Sequence, residues 1–284
     1  MSQEKNVKSG NRTVLPQPRP PGQEPLEDFS RSPSFFKVLG VRVDAVKIAG
    51  AIAQMARWIS DHDVPHLVAA TGMHGVTEAQ HDASFKLILN SVDLVVPDGM
   101  PLVWIGWLRG YRLLRRVPGS DLLAGFCRET AKKRYRHFFY GGAPGVPEKL
   151  AEELKSRFDG LQVVGAYSPP FRSLQPEEDA QIVEMINNSD ADVLWVGLGC
   201  PKQERWMWEH RESLKVPVVV AIGAAFDFFT GGTPRAPAWM CEHGLEWLFR
   251  LVKEPRRLWR RYLVYGSEFA WSVSLELLGL RRFS

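Results

Sequence analysis

From residue 35 onward, short apolar runs alternate with longer segments in which apolar residues recur every three or four positions. The short runs predict strands buried on both faces, and the periodic segments predict helices. The predicted strands are 37–43, 66–70, 94–96, 137–140, 161–166, 192–197 and 217–222. The predicted helices are 46–59, 75–90 with a break left open, 100–109, 120–134, 146–157, 176–188 and 202–214. This alternation predicts an α/β fold with a doubly wound, mostly parallel sheet in Rossmann-like layers.

The two ends of the chain differ in composition from this core. Residues 1–34 contain six prolines and almost no apolar periodicity, which predicts a disordered arm. Residues 35–248 form the predicted α/β core, and residues 249–284 form a predicted basic, amphipathic helical appendage. With 284 residues and 45% hydrophobic content, the chain can bury a large core without disulfide or metal staples.

The net charge of +4 is concentrated at the C-terminus. Residues 250–284 hold eight Arg or Lys and three Glu, a net of +5, which leaves about −1 for the rest of the chain. We therefore expect the C-terminus to meet an anionic surface or ligand, and we expect no nucleic-acid partner. The three cysteines fit no zinc or redox spacing and no signal peptide is visible, so reduced thiols in a cytoplasmic protein are expected.

Polar residues follow four of the predicted strands directly. They are Thr71 and His74, Asp98, Lys202 with Gln203, and Asp227. Because the carboxyl ends of parallel strands meet at the same edge of a sheet, we expect these residues at one edge. Taken singly, each has a structural interpretation as a helix cap, a turn former or a solvated charge. Together they suit a transfer in which a hydroxyl loses a proton and a phosphate leaving group gains charge, with Asp98 as the best candidate base.

Two other motifs have competing interpretations. Arg116 precedes the sequence Pro-Gly-Ser-Asp at 118–121, which fits an anion-binding turn and a helix cap equally well. Two Asp-x-Asp triplets, at 61–63 and 190–192, have the spacing of a metal site for a sugar diphosphate. Both triplets precede their strands and belong at the opposite edge of the sheet, so a solvated turn is the favoured interpretation.

The C-terminal segment is first basic and then apolar. Residues 255–262 read Pro-Arg-Arg-Leu-Trp-Arg-Arg-Tyr, and residues 263–280 are largely apolar apart from Glu268, Ser272 and Glu276. On a helix these three, four residues apart, form one polar stripe. A membrane-spanning helix is disfavoured because central carboxylates are costly in a bilayer. An interfacial helix with arginines on anionic lipid fits, and so does a helix packed on its own core or on a neighbouring subunit of a homo-oligomer.

Several stretches within residues 66–265 occur in the order of one known family. They are 96–99 (Val-Pro-Asp-Gly), 116–121 (Arg-Val-Pro-Gly-Ser-Asp), 197–206 (Gly-Leu-Gly-Cys-Pro-Lys-Gln-Glu-Arg-Trp), 223–229 (Gly-Ala-Ala-Phe-Asp-Phe-Phe), 235–239, 244–250 and 254–262. The chain resembles the bacterial WecG/TagA/CpsF glycosyltransferases, glycosyltransferase family 26. The resemblance implies inverting transfer of a sugar from a UDP-sugar to a polyprenyl-diphosphate-linked acceptor sugar, during synthesis of a cell-surface polysaccharide.

The resemblance also implies roles for particular residues. Asp98 matches the family's general base, Arg116 matches a residue associated with the diphosphate, and Gln203 lies in a signature close to the pocket. The tail arginines at 250, 257 and 260 are implied to close over the site and bind the diphosphate, and no bound metal or cofactor is implied. In full, the predicted substrate-binding residues are Thr71, His74, Lys202, Gln203, Asp227, Arg250, Arg257 and Arg260.

One position departs from the family pattern. The family usually has Thr-x-Asn after its second strand, whereas this chain has Thr71-Gly72-Met73, with methionine in place of the pocket asparagine. His74 is therefore a candidate replacement, although a lone histidine is more often structural.

The resulting prediction is a glycosyltransferase that is peripheral on the inner face of the cytoplasmic membrane. One alternative is a nucleotide-dependent oxidoreductase on the same kind of sheet, but no G-x-G-x-x-G follows the first strand. Another is a noncatalytic membrane-surface scaffold, which explains the tail and leaves the polar edge of the sheet unexplained.

Overall fold

The structure, a computed structural model, describes residues 34–61, 65–223, 225–231 and 236–283. Most of the predicted arm, residues 62 and 63 of the first Asp-x-Asp triplet, and residue 235 lie outside the described residues. The strands are β1 Phe35–Val38, β2 Val41–Asp44, β3 His66–Thr71, β4 Leu94–Pro97, β5 Arg136–Gly141, β6 Gln162–Tyr167, β7 Val193–Gly197 and β8 Val218–Ala221. The helices up to the sixth strand are α1 Ile48–Asp61, α2 Met73–His81, α3 Ala83–Ser91, α4 Met100–Leu108, α5 Gly119–Thr130 and α6 Val146–Arg157. The later helices are α7 Pro176–Asn188, α8 Lys202–His210, α9 Ala225–Phe229, α10 Ala238–Glu242, α11 Glu246–Lys253, α12 Pro255–Trp259 and α13 Tyr265–Leu277, with a π-helical turn, Arg260–Val264, between the last two.

Six of the strands form one sheet in the order β4-β3-β8-β7-β5-β6, and every neighbouring pair is parallel. Alternate residues of the strands enter two separate apolar cores, as Leu194 and Val196 do on one face and Val193 and Trp195 do on the other. Helices cover both faces, since a parallel sheet must be buried on both sides. The predicted doubly wound α/β fold is confirmed.

The predicted single strand over 37–43 is wrong. The chain reverses at Leu39 and Gly40, which have φ values of 50° and 78°, and β1 and β2 pair as an antiparallel hairpin. Two consecutive residues with positive φ form the kind of two-residue turn that matches strand twist. Asp44 docks the hairpin beside the main sheet, because its carboxylate accepts a 2.7 Å hydrogen bond from the Val95 N–H of β4.

Other differences concern where elements begin and end. The predicted helix over 75–90 is two helices, and the Asp82 carboxylate caps the second by accepting a 3.0 Å hydrogen bond from the Phe85 N–H. The predicted helices over 120–134 and 202–214 end earlier, at Thr130 and His210. These differences are local and leave the layer order intact.

The two ends of the parallel strands carry different chemistry. At the amino end of β7, Asp192 accepts a 2.7 Å hydrogen bond from the Arg136 N–H and lies 3.0 Å from its guanidinium. Asp190 and Asp192 thus serve in a structural turn, as predicted for that triplet. The ends of β3, β4, β7 and β8 open on the opposite edge, where α11, α12 and α13 also gather, with α13 packed on α2.

No helix within the described ranges is both long and apolar enough to cross a membrane.

Candidate active site

A cavity of about 1200 Å³ lies at the carboxyl edge of the sheet, between the strand ends and the C-terminal helices. Nine of the ten predicted site residues form part of its wall: Thr71, His74, Asp98, Lys202, Gln203, Asp227, Arg250, Arg257 and Arg260. The tenth, Arg116, is outside the wall but forms a 2.6 Å ion pair with Glu246, which belongs to it. Strand ends more than 100 residues apart in sequence therefore converge on one space, as the parallel topology requires.

Asp98 occupies the turn between β4 and α4. Its N–H donates a 2.9 Å hydrogen bond to the Thr71 carbonyl, which fixes the backbone beside β3. Its carboxylate accepts a 3.3 Å hydrogen bond from the Gly119 N–H at the start of α5. Burial raises the pKa of Asp98, and Arg116 opposes that effect more than any other group. A carboxylate with a raised pKa that faces a cavity is suited to accept a proton.

Arg116 is held by a carboxylate from the C-terminal part of the chain. Its guanidinium donates a 2.6 Å hydrogen bond to Glu246, at the start of α11. Burial alone lowers the pKa of Arg116, but the carboxylates of Glu246 and Asp98 outweigh it and leave the pKa above its ordinary value. Arg116 is therefore a fixed cation beside the candidate base.

Gln203 joins two loops at the cavity wall. Its side-chain oxygen accepts hydrogen bonds from the N–H groups of Gly199, at 3.2 Å, and Gly223, at 2.9 Å. Its amide nitrogen donates to Glu204 at 2.9 Å, and only 1% of Gln203 is exposed. The predicted substrate-binding residue thus also holds the loop after β7 against the loop after β8. Its neighbour Lys202 is exposed at the same helix start.

The start of α2 brings an imidazole into the wall. The His74 ring stacks on Tyr265 of α13, with ring centroids 5.3 Å apart. Burial, and secondarily the charge of Arg261, lower the pKa of His74 to about 4, so the ring is neutral at neutral pH. A neutral imidazole can both donate and accept a hydrogen bond.

The C-terminal helices supply several of the cations in the cavity wall. The Arg250 guanidinium lies 5.3 Å from the Phe228 ring centroid, and Arg257 pairs with Glu254 at 2.6 Å. Burial raises the pKa of Asp227, and Arg257 is the strongest opposing influence. Arg250 and Arg257 therefore place positive charge near Asp227 of α9. Throughout the described part of the chain, no three His, Cys, Asp or Glu side chains are grouped so that they could share a metal ion.

Comparison with known proteins identifies the family. The profile of the glycosyl transferase WecG/TagA/CpsF family matches residues 36–283. The chain belongs to the WecG/TagA/CpsF family of glycosyltransferases.

Two relatives carry the same name, N-acetylglucosaminyldiphosphoundecaprenol N-acetyl-beta-D-mannosaminyltransferase. The protein from Bacillus spizizenii is 33% identical over 186 residues, which cover 66% of this chain and 70% of the relative. The protein from Bacillus subtilis (strain 168) is 30% identical over 182 residues, which cover 64% of this chain and 69% of the relative.

Met73, at the position where the resemblance leads us to expect asparagine, packs inside the fold. Met73 contacts the apolar core, and a side chain at Gly266 of α13 would lie 3.5 Å from the end of Met73. Met73 thus packs toward the C-terminal helix, while the next residue, His74, lines the cavity.

Glu204, Arg261 and Glu246 are among the wall residues that the sequence-based prediction did not include. Glu204 follows Gln203 directly, and Arg261 lies four residues after Arg257, so helical spacing could have added it to the tail arginines. Glu246 carries no local signal, because its partner Arg116 is 130 residues away in sequence.

Proposed function

We propose that the chain is an inverting glycosyltransferase that moves a sugar from a UDP-sugar to a polyprenyl-diphosphate-linked acceptor sugar in cell-surface polysaccharide synthesis. The names of the two Bacillus relatives support N-acetylmannosamine as the transferred sugar and N-acetylglucosaminyl diphosphoundecaprenol as the acceptor. The observation that carries the proposal is the position of Asp98, a partly buried carboxylate at the wall of a cavity that also contains several arginines.

The reaction is a single displacement. The Asp98 carboxylate takes the proton of the acceptor hydroxyl as the hydroxyl oxygen attacks the anomeric carbon of the donor sugar. The new carbon–oxygen bond forms as the bond to the UDP oxygen breaks, and the electron pair of that bond leaves with UDP. Attack opposite the leaving group inverts the anomeric configuration. The raised pKa of Asp98 makes its carboxylate a stronger base.

The leaving diphosphate gains negative charge that must be offset. Arg250 and Arg257 line the cavity close to Asp227, and Arg116 stands beside Asp98. Guanidinium groups suit phosphate oxygens because they donate hydrogen bonds in a planar fork. Arg116 already binds Glu246, so a diphosphate that reaches Arg116 shares it with Glu246 or displaces that carboxylate.

The proposal includes a peripheral location on the inner face of the cytoplasmic membrane, and the C-terminal helix supports contact with a membrane surface. The stripe of Glu268, Ser272 and Glu276 faces the protein, since Glu268 contacts His81 at 2.9 Å and Glu276 contacts Arg109 at 2.8 Å. Other positions at the end of this segment expose large apolar side chains, with Trp271 at 67% and Leu278 at 72%. An apolar face with arginines nearby is suited to the headgroup region of an anionic bilayer.

Replacing Asp98 with asparagine tests the assignment of the base. The side chain keeps its shape and its oxygen, but it loses the ability to accept a proton. We expect kcat to fall roughly 10²- to 10⁴-fold, the usual contribution of a general base, with binding of UDP unchanged. The assay combines UDP-N-acetylmannosamine with a short-chain polyprenyl diphosphate-N-acetylglucosamine and identifies the product by mass, and NMR gives its anomeric configuration.

Asp159→Asn is the matched control, because Asp159 is an exposed residue outside the cavity wall. Near wild-type transfer by a folded Asp98→Asn protein would show that Asp98 is not the base. A retained anomeric configuration would reject the single displacement. If the wild-type protein binds lipid but neither binds UDP nor transfers sugar, the noncatalytic scaffold is the better description.

A further inference from the structure

Glu204 is a buried carboxyl group that the proposed mechanism leaves unused. It lies in the first turn of α8, forms part of the cavity wall and is 1% exposed. One of its oxygens, Oε1, accepts the 2.9 Å hydrogen bond from Gln203. The other, Oε2, is buried, and none of the described residues provides it with a hydrogen-bond partner. Buried polar atoms are nearly always paired, so this oxygen requires an explanation.

Two other buried polar atoms in the cavity wall also have no hydrogen-bond partner among the residues that the structure describes. They are the Thr71 hydroxyl, at the end of β3, and Nδ1 of His74, in α2, and both residues line the cavity. Cys200 lies close to Thr71, since a side chain at Gly75 would lie 3.0 Å from the Thr71 methyl group and 3.5 Å from the Cys200 sulfur. The Cys200 thiol in turn lowers the pKa of Glu204, so the two side chains are neighbours. A carboxyl, a hydroxyl and an imidazole with unused hydrogen-bonding capacity therefore border one part of the cavity.

The charged groups around Glu204 differ from those around Asp227. Arg257 and Arg250 lower the pKa of Asp227, and Arg261 lowers the pKa of Glu204. Both Arg250 and Arg261 lower the pKa of Asp98. Asp98 is therefore influenced by arginines from both groups. A diphosphate is favoured beside Arg250 and Arg257, whereas a carboxyl group such as Glu204 disfavours phosphate and suits a neutral ligand with hydroxyl or N–H donors.

We propose that Glu204 is a sugar-binding residue whose Oε2 accepts a hydrogen bond from a hydroxyl or amide N–H of a hexose held beside Asp98. The Thr71 hydroxyl and the His74 ring border the same hexose. This proposal rests on the proposed glycosyltransferase function. The hexose belongs either to the donor or to the acceptor, and both present the same chemistry to Glu204.

Glu204→Gln changes a single atom of the proposed contact. The side-chain oxygen can still accept from Gln203, while an NH₂ group replaces Oε2 and presents donors in place of an acceptor. Binding of UDP and of UDP-N-acetylmannosamine to the full-length protein is measured by calorimetry, and the acceptor KM is measured with polyprenyl diphosphate-N-acetylglucosamine. Glu212→Gln is the matched control, because the Glu212 side chain is 88% exposed and lies outside the cavity wall.

We expect Glu204→Gln to bind UDP within about twofold of wild type, which also shows that the site is folded. If the hexose is the donor's, the ratio of the Kd for UDP-N-acetylmannosamine to the Kd for UDP rises roughly tenfold or more. If it is the acceptor's, the acceptor KM rises by a similar factor and the donor ratio stays constant. Either result supports the proposal.

Two results would overturn it. In the first, the donor ratio and the acceptor KM of Glu204→Gln both stay within about twofold of the control. In the second, UDP binding weakens as much as UDP-N-acetylmannosamine binding, which is the result of a purely structural role at the start of α8. A wild-type protein that binds neither UDP nor the UDP-sugar would instead reject the glycosyltransferase proposal itself, and this proposal with it.

Discussion

At the scale of single residues, the charge balance around Asp98 decides when it can act as a base. Burial raises the pKa of Asp98, Arg116 lowers it, and Glu246 raises it. A base must be deprotonated, so activity is present above this pKa and is lost as the pH falls through it. The acid limb of kcat/KM is therefore expected above the usual aspartate range.

The two charged neighbours of Asp98 should move this acid limb in opposite directions. Arg116→Gln removes the cation that lowers the pKa of Asp98, so the limb moves to higher pH. Glu246→Gln removes a carboxylate that raises this pKa, so the limb moves to lower pH. The measurement is the pH dependence of kcat/KM for each variant. The quantity compared is the pH at the midpoint of the acid limb, so a change in the absolute rate does not affect the test.

Arg115→Gln is the control for these two variants. Arg115 is next to Arg116 in sequence, but its guanidinium binds the backbone carbonyls of Arg112 and Leu114. Its replacement should leave the limb unchanged. Shifts in the same direction for Arg116→Gln and Glu246→Gln would contradict the assignment of Asp98 as the group that titrates.

At the scale of elements, Gln203 explains how two loops come to share one wall. Sequence patterns correctly predicted the end of β7 and the start of a helix at Lys202, because both are local signals. They did not predict that the Gln203 oxygen would accept from Gly199 and Gly223, since Gly223 follows a different strand. Loop pairing of this kind depends on strand order, which only the folded chain has.

Gln203→Ala should lower the free energy of unfolding by about 1–3 kcal/mol. The substitution leaves two partly buried N–H groups and the Glu204 carboxyl without their partner, and an unpaired buried group costs about that much. Urea denaturation gives the value. The control is Gln162→Ala, an exposed residue of β6 whose loss should cost less than ~0.5 kcal/mol. Equal stability of the two variants would mean that Gln203 does not hold the loops together.

At the scale of the whole molecule, positive charge and exposed apolar surface coincide in the C-terminal helices. The net of +5 in residues 250–284 lies on the same segment as exposed Trp259, Leu263 and Trp271. The polar stripe predicted from the sequence exists, and it faces the protein through Glu268 and Glu276. At the sequence level, packing on the core and contact with a membrane were alternatives. In the structure one side of α13 packs on the protein, and another side is exposed and free to contact a membrane.

Trp271→Ser should weaken binding to vesicles that contain phosphatidylglycerol by roughly tenfold, because partial burial of an indole among headgroups is worth more than ~1 kcal/mol. Binding should also weaken as salt is added and should be lower on pure phosphatidylcholine, since the arginines require anionic lipid. Cosedimentation measures both effects. Met185→Ser, which changes an exposed residue of α7, is the control and should bind as wild type does. Equal binding by the two variants would exclude this face of α13 from membrane contact.

The sequence by itself determined the α/β class, most element positions and the edge of the sheet at which Asp98 and the other polar residues after the strands lie. These depend on local periodicity and on where strands end, which neighbouring residues decide. The turn at Leu39–Gly40 was not predicted, because leucine rarely adopts positive φ and so does not indicate such a turn. Only the tertiary structure decided the strand order, the Arg116–Glu246 pair, the unpaired oxygen of Glu204 and the inward direction of the tail's polar stripe, because each depends on packing between residues far apart along the chain.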